Sequence, residues 1–572
     1  MTTALKTDSL KRLSGSTALH AVILALWPHF ASGKGLSLAD TLYALGNYQY
    51  FGQIGGFWEL ATFLANGAGF VLSRLPGGDS VLGMQVYSSL LMSAFLEAMY
   101  FLLRDIFGRR KTFLGLFIAA SFAWCPSVIL YNRLTYMLFT LGTVLLVKAV
   151  AEGDEGKAAK LFLLSGILFG LNVSVRIPNV PEALMILVLA FDDVKRRLKD
   201  LMICIGGWAA GFALPALLMV ISYGPFSCAA MVSTLFTMQE GGAEDYTASS
   251  MFSGILFSYR DAIVYLIPLI AVMAAVVLVS RHLINRGRYG RISCFVLGFA
   301  GMALWIRFAW GRGMFDFHYY HYNAIYLWGV LFTIMTVGLA VWTLTDRREG
   351  KLLKAFAFAV LLTILLTPVG SNNALYPVVD NMFLTCPFAV RTAMVLLGRK
   401  RLTAVYPALL ACFSSVLFML FIQGSLFHMN FALQDGYWGE ERSFFTVKND
   451  RSRGVATIEE NARLIDDMTE LSERYGLSGK TGIFYGNIPG LSYLLDIRSA
   501  ITTIWPSLDT YSPAEFERDL SSVSGELPVV FISASCPKNK KYEALSAYMD
   551  ENDYEKIYED NGIAVYMEGS PD

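Results

Sequence analysis

Long apolar runs separated by short polar stretches dominate the first three quarters of the chain. A helix crosses the hydrocarbon core with about 20 mostly apolar residues, fewer when its ends are buried in protein. Runs of this kind fall near 16–32, 81–103, 112–131, 134–150, 161–175, 180–191, 201–222, 261–280, 292–308, 323–345, 355–369, 381–397 and 402–422. They predict a mainly α, polytopic membrane protein of about 13 transmembrane helices. A count of 12 or 14 also fits, because Arg176-Ile177-Pro178-Asn179 interrupts one apolar stretch. The first run has basic residues before it and Ala31-Ser32-Gly33 after it, the flanks of a signal peptide. With so many spans following, it reads as a retained anchor. Two connections are long, 33–80 and 223–260. The first carries Tyr43, Tyr48, Tyr50, Phe51, Phe57 and Trp58 in an amphipathic setting, as helices lying in the membrane interface do.

From about residue 423 the pattern changes to short apolar runs alternating with amphipathic stretches. Thr481–Gly486, Pro528–Ala534 and Gly562–Met567 read as strands, and Ile458–Tyr475, Pro513–Val523 and Tyr542–Asp550 as capped helices. The division is therefore 1–422, a membrane body with the loop 33–80, and 423–572, a small α/β domain. Gly486-Asn-Ile-Pro-Gly490 marks the turn after the first of these strands. It lacks the spacing of a dinucleotide fingerprint and reads as structural.

Composition agrees with the pattern. Of 572 residues 55% are hydrophobic and 16% charged, against about 25% charged in soluble proteins. Disorder, a collagen repeat and a basic nucleic-acid binder are excluded, and a soluble enzyme is disfavoured. The net charge of zero hides a division: residues 1–422 hold 33 Lys+Arg and 21 Asp+Glu, residues 423–572 hold 13 and 25. The first part is +12 and the second −12. The seven cysteines show no metal-ligand or disulfide spacing.

Basic residues gather in alternate connections, as the positive-inside rule requires. Arg104, Arg109, Arg110 and Lys111 fill one, Lys195, Arg196, Arg197 and Lys199 another, and Arg347, Arg348, Lys351 and Lys354 a third, while the intervening ones hold few. The N-terminus, with Lys6, Lys11 and Arg12, is thereby predicted to be cytoplasmic, and the acidic domain extracytoplasmic at the cell membrane. The same topology sends Asp40, Glu59, Arg176, Asn179, Arg307, Arg312, Asp316, His318, His321, Asn372, Asn373 and Asp380 to the outer face. Polar groups near a membrane core are costly unless they face a cavity or each other, which makes these the candidate functional set; snorkelling, capping and headgroup contact are the plain readings. Asp40, at the outer surface among aromatics, suits a general base toward a hydroxyl or a cap for a helix starting at Thr41. Phe315-Asp-Phe-His-Tyr-Tyr-His-Tyr322 puts His318 and His321 on one helical face, but an aromatic belt explains most of it and no metal is assigned. Asn372 and Asn373 either cap a helix or bind sugar hydroxyls.

The stretches Asp40–Phe51, Arg176–Asn179, Gly370-Ser-Asn-Asn373 and Tyr485–Leu494, with a first acidic outer loop, many spans and an outer α/β tail, resemble the GT-C superfamily. These are integral-membrane glycosyltransferases that use polyprenyl-phosphate-linked sugars; the likeness is to a mostly uncharacterised bacterial branch. The family's commoner acidic pair is here Asp40-Thr-Leu-Tyr43, a single carboxylate. The resemblance implies an inverting hexosyl- or pentosyltransferase with Asp40 as base, requiring no cofactor, a divalent metal being the lesser alternative. A donor phosphate would meet Arg307, Arg176 or Arg312, Arg307 being preferred because it ends an apolar span; Asn372, Asn373, His318, His321 and Glu59 would bind substrate. Its partners would be the lipid-linked sugar, the bilayer and an envelope glycan, lipid or protein acceptor, with no nucleic acid. A multi-pass transporter or lipid or polysaccharide flippase is the competing class. It should show internal repeats and ionisable groups at mid-membrane, and neither is evident here.

Overall fold

The computed structural model of the protein describes residues 16–122, 127–237, 248–283, 287–318, 322–371, 373–398, 406–430, 435, 441 and 443–569. The membrane body opens with α1 (Thr17–Leu26), prolonged by a 3₁₀ turn to Ala31. The loop 33–80 folds into α2 (Asp40–Gln49), α3 (Phe57–Ala61) and α4 (Phe63–Ser73). Then follow α5 (Val81–Phe107), α6 (Arg109–Ser121), α7 (Leu130–Ala151) and α8 (Glu155–Val175). The chain continues as a 3₁₀ segment, Ile177–Phe191, and then α9 (Arg197–Thr237), α10 (Ala248–Leu283), α11 (Gly287–Gly311) and α12 (Tyr322–Thr345). α13 (Lys351–Leu366), α14 (Tyr376–Asp380), α15 (Thr385–Leu397) and α16 (Tyr406–Asn430) complete the body.

Eight of these helices are long and apolar enough to cross a membrane, with shorter apolar ones among them, so the protein is polytopic. Most expected spans lie within an observed element, give or take a few residues at an end, but three regions differ more. The run 112–131 is not one helix: α6 ends at Ser121, and α7 starts at Leu130. The expected loop 223–260 is largely helical, since α9 runs to Thr237 and α10 begins at Ala248. Gly224, at φ +81 beside Pro225, bends α9 where the apolar pattern stops. The run 180–191 is 3₁₀, with Pro178 and Pro181 removing backbone donors that an α-helix would use.

The α8–α9 crossing is held by glycine. Gly166 and Gly170 of α8 meet the carbonyls of Cys204 and Trp208, while Gly207 and Gly211 of α9 meet those of Leu163 and Ile167. Two GxxxG ridges face each other, and a Cβ built on Gly166, Gly170 or Gly211 would lie 2.1–2.2 Å from the opposing oxygen. Small residues of this spacing let helix backbones touch where no hydrophobic effect drives them together.

The tail comprises β1 (Phe445–Thr446), β2 (Ala456–Thr457), α17 (Glu459–Tyr475), β3 (Thr481–Tyr485), α18 (Gly490–Leu495), β4 (Arg498–Ser499), α19 (Pro513–Ser521), β5 (Val529–Ser533), α20 (Lys540–Glu551), β6 (Tyr554–Asp560) and β7 (Ile563–Glu568). Its five-stranded sheet has the order β4-β3-β5-β7-β6. β3 is parallel to β4 and β5, and the β5–β7–β6 edge is antiparallel. α19 begins with a reciprocal capping box between Ser512 and Glu515. α17 buries Ala462, Ile465, Met468 and Ser472, one helical stripe, and leaves its acidic side to solvent.

Tail and loop share one core. Leu42, Leu45 and Tyr48 of α2 pack in the same apolar cluster as Phe484, Leu491 and Ile504 of the tail, together with Leu130 and Val175 from the membrane body. Asp435, fully buried, accepts from Leu36 N–H (3.3 Å), Thr457 Oγ1 (2.6 Å) and Asn461 Nδ2 (2.9 Å), and so pins the loop to the start of the tail.

Candidate functional site

α2 starts at Asp40 itself, with Ala39 in the capping position and no side-chain cap. Asp40 is therefore not a cap for a helix starting at Thr41. It occupies the first turn, where the helix dipole favours a carboxylate, and is half-buried. One turn on, Tyr43 stacks edge-on against Trp505 of the tail, ring centroids 5.4 Å apart. Burial pushes the Tyr43 phenol up to about 12, hydrogen bonds from Asn47 and Thr503 work against it, and the charges of Asp40 and Glu59 add to it.

The tail closes on this helix with its strand-end loop. Gly490 N–H donates to Leu38 O at 2.7 Å, and a Cβ on Gly490 would lie 2.4 Å from Leu42 Cβ. At the other end of α2, Gln49 and Tyr50 both reach Asp496 Oδ1, at 2.5 and 3.2 Å, and Arg451 pairs with the same oxygen at 2.8 Å while also donating to Gln49. The stretches Asp40–Phe51 and Tyr485–Leu494 thus form one contact surface.

The other two stretches also meet. At Arg176 the backbone leaves the α8 helix (φ −159°, ψ 117°), and the freed guanidinium donates to Gly370 O at 2.7 Å. Gly370 has φ +80, and a Cβ there would come within 2.6 Å of Pro178 Cβ. Below this contact lies a buried polar network. Asn179 Nδ2 donates to Thr135 Oγ1 (2.8 Å) and Asn172 O (3.0 Å), and Asn172 donates to the Glu182 carboxylate. Asn172, Asn179, Thr135 and Glu182 are each at most 4% exposed. Glu182 and Asn172 escaped the sequence reading, although a glutamate and an asparagine inside apolar runs were the available signal.

Arg176 is flanked by residues of two cores. Val175 belongs to the cluster of α2 and the tail, while Ile177 packs on the cluster of Leu60, Phe63, Met219 and Met231. Glu59, 4% exposed, is fully engaged: Gly52 and Gly55 N–H (the latter at 2.7 Å) and Tyr223 O–H (2.6 Å) donate to its two oxygens. It ties the loop to α9 one residue before the Gly224 bend.

Arg307, Arg312, Asp316 and His318 sit on the α10–α11–α16 side, whereas Asn373 follows Gly370 in the connection between α13 and α14. Arg307 is exposed on α11. Arg312 Nε donates to Tyr265 O at 2.8 Å and its guanidinium lies over the Tyr265 ring. His318 is exposed and bonded to Asp316 Oδ1 at 2.7 Å, and Gln423 of α16 holds the Asp316 backbone. Asn373 is exposed, its N–H bonded to Ser371 Oγ. No described hydrogen bond or ion pair links these residues to α2. His321 and Asn372 lie outside the described residues. Among the described residues no cluster of three metal-ligating side chains occurs.

Two cavities border the site. An apolar groove of about 610 Å³ runs between α8, the 3₁₀ segment and α9, past Val180, Pro181, Leu184, Cys204 and Trp208. A smaller, half-polar cleft of about 180 Å³ lies where α3, the bent end of α9 and the tail converge.

No protein-family model matches the chain, and no curated protein matches it. Among solved structures it is similar to ArnT from Cupriavidus metallidurans, crystallised in the apo state, at 11% identity over 96% of each chain with a TM-score of 0.36. So loose a likeness bears on neither activity nor substrate.

Proposed function

We propose that the protein is a membrane glycosyltransferase of the GT-C type, transferring one sugar from a polyprenyl-phosphate donor to an envelope acceptor on the outer face. The observation that carries this reading is the shared core in which Leu42, on the helix that Asp40 begins, and Val175, beside Arg176, both take part. A carboxylate at the start of α2 and an arginine at a break in the membrane body flank one shared core, roofed by the tail. Asp40 takes the proton from the acceptor hydroxyl as that oxygen attacks the anomeric carbon. The lipid phosphate departs, and a fixed guanidinium stabilises the charge it gains. Arg176 suits that role because Gly370 O already orients it. The apolar groove begins at Val180 and Pro181, a few residues beyond Arg176, and suits the prenyl chain. The step needs neither metal nor cofactor.

Asp40→Asn is expected to abolish sugar transfer in the purified protein while the thermal unfolding midpoint stays put; retained transfer would remove Asp40 as base. Arg176→Lys keeps the charge but loses the planar fork, so the donor KM should rise about tenfold. Arg307→Ala provides the comparison: a KM that rises with Arg307→Ala and not with Arg176→Lys would move the phosphate site to α11.

A further inference from the structure

From the half-polar cleft we infer that the acceptor is a carbohydrate, one sugar unit of which lies between α3, the bent end of α9 and the tail; this rests on the transferase reading above. About 180 Å³ is room for roughly six waters, below the 300–1,000 Å³ typical of drug-sized ligands and suited to a single ring. The walls differ in chemistry. The helical side is mainly apolar, Phe57, Leu60, Ala230 and Met231 with the hydroxyls of Ser227 and Thr234 among them, and the tail supplies a polar side with Thr503, Glu515 and Arg518. A pyranose has the same two characters, apolar C–H faces and a rim of hydroxyls.

Glu515 and Arg518 in the polar wall keep hydrogen-bonding capacity. Ser512 N–H and O–H both bond Glu515 Oε2, at 3.0 and 2.8 Å, so the carboxylate keeps accepting capacity. The Arg518 side chain is 67% exposed, with only a long 3.7 Å contact to Asp519 Oδ1. The other oxygen of Asp519 receives Tyr511 O–H at 2.6 Å, Thr502 N–H at 3.0 Å and the Thr502 hydroxyl. One acid and one base make the lining electrically neutral, which matches an uncharged sugar better than a phosphate or carboxylate. The cleft also connects to the chemistry. Thr503 in its wall is hydrogen-bonded to Tyr43, one helical turn from Asp40. The walls come from three parts of the chain and are held fixed: the Glu59–Tyr223 bond sets α9 against α3, and a Cβ on Gly56 would lie 1.8 Å from Thr502 O.

The test is saturation-transfer NMR on the full chain in nanodiscs. The uncharged probes are the methyl glycosides of glucose, galactose and mannose; glucuronate and glucose 6-phosphate are the charged ones. At least one uncharged glycoside should receive saturation. Its affinity should fall about tenfold in Arg518→Gln, whose side chain is exposed and whose unfolding midpoint should not move. Ala230→Trp, which fills the apolar side, should abolish it, and Asp40→Asn should leave it intact while transfer is lost. The sugar site is overturned if no uncharged glycoside binds, if only the charged probes bind, or if Arg518→Gln and Ala230→Trp bind as well as the parent. Should the glycoside bind while Asp40→Asn still transfers, the catalytic assignment fails and the sugar site stands.

Discussion

At the scale of single residues, the protein separates groups that are tied down from groups left able to act. Glu59 has both oxygens occupied, and Arg312 spends its guanidinium on Tyr265. Arg176 is held by one carbonyl and retains other donors for a ligand. The tail contains the opposite case, a charge buried for structural reasons. Lys541, 2% exposed, donates to Leu508 O (2.6 Å) and Tyr511 O (3.0 Å), bracing the turn that leads into α19. Burial lowers this ammonium from 10.5 to about 8, with Asp509 and Glu515 opposing. The folded state therefore binds the proton less tightly than the unfolded one. Its cost is present in full below about pH 8 and is relieved as pH rises from there toward 10.5. Thermal unfolding of the tail, followed by circular dichroism, should show a midpoint that climbs between pH 8 and 10. In Lys541→Met that climb should vanish; its persistence would assign it to other groups.

At the scale of elements, the α8–α9 pair makes the sharpest demand on sequence. Gly170 and Gly211 stand against backbone, which cannot rotate away as a side chain would. Gly170→Val or Gly211→Val should push the helices apart at a cost of roughly 1–3 kcal/mol, and more where backbone cannot shift. The loss should appear as a lower unfolding midpoint in detergent, whereas Gly206→Val, with open space at its Cβ, should be tolerated. These ridges are written as Gly166-x₃-Gly170 and Gly207-x₃-Gly211, yet reading them as partners requires knowing which helices touch. That limit recurs. Expected strands at Thr481–Gly486, Pro528–Ala534 and Gly562–Met567 fall on β3, β5 and β7, because buried strands carry their own apolar signal. β6 was missed, since its sequence Tyr554-Glu-Lys-Ile-Tyr-Glu-Asp560 is an exposed, charged edge. Asp40 and Arg176 were each visible as polar residues at span ends. The core that Leu42 and Val175 share with the tail, and the Trp505–Tyr43 contact, depend on how the tail folds back on the loop, more than 400 residues after Tyr43 in the second case, which no local pattern encodes.

At the scale of the whole molecule, the charge division and the packing point to one arrangement. The tail is bound to the loop 33–80 by Asp435 and by the Gly490–Leu38 hydrogen bond, so both occupy the same side of the membrane. α5 starts beside that loop, with Val81 and Met84 in the shared core, and ends in the basic cluster Arg104–Lys111 on the opposite side. Basic connections stay cytoplasmic during insertion, while an acidic domain meets no such barrier. The tail should therefore face outward, and with it Asp40, Arg176 and the sugar cleft. A single cysteine at position 450, which is exposed, decides the matter in a chain whose seven native cysteines have been replaced. A membrane-impermeant maleimide should label Asp450→Cys in intact cells. A cysteine at Arg110, in the basic first turn of α6, should react only after permeabilisation. The reverse pattern would place the tail in the cytoplasm. It would also remove Asp40 from any outer-face reaction, whatever its activity in detergent, because donor and acceptor would then have to meet on the inner leaflet.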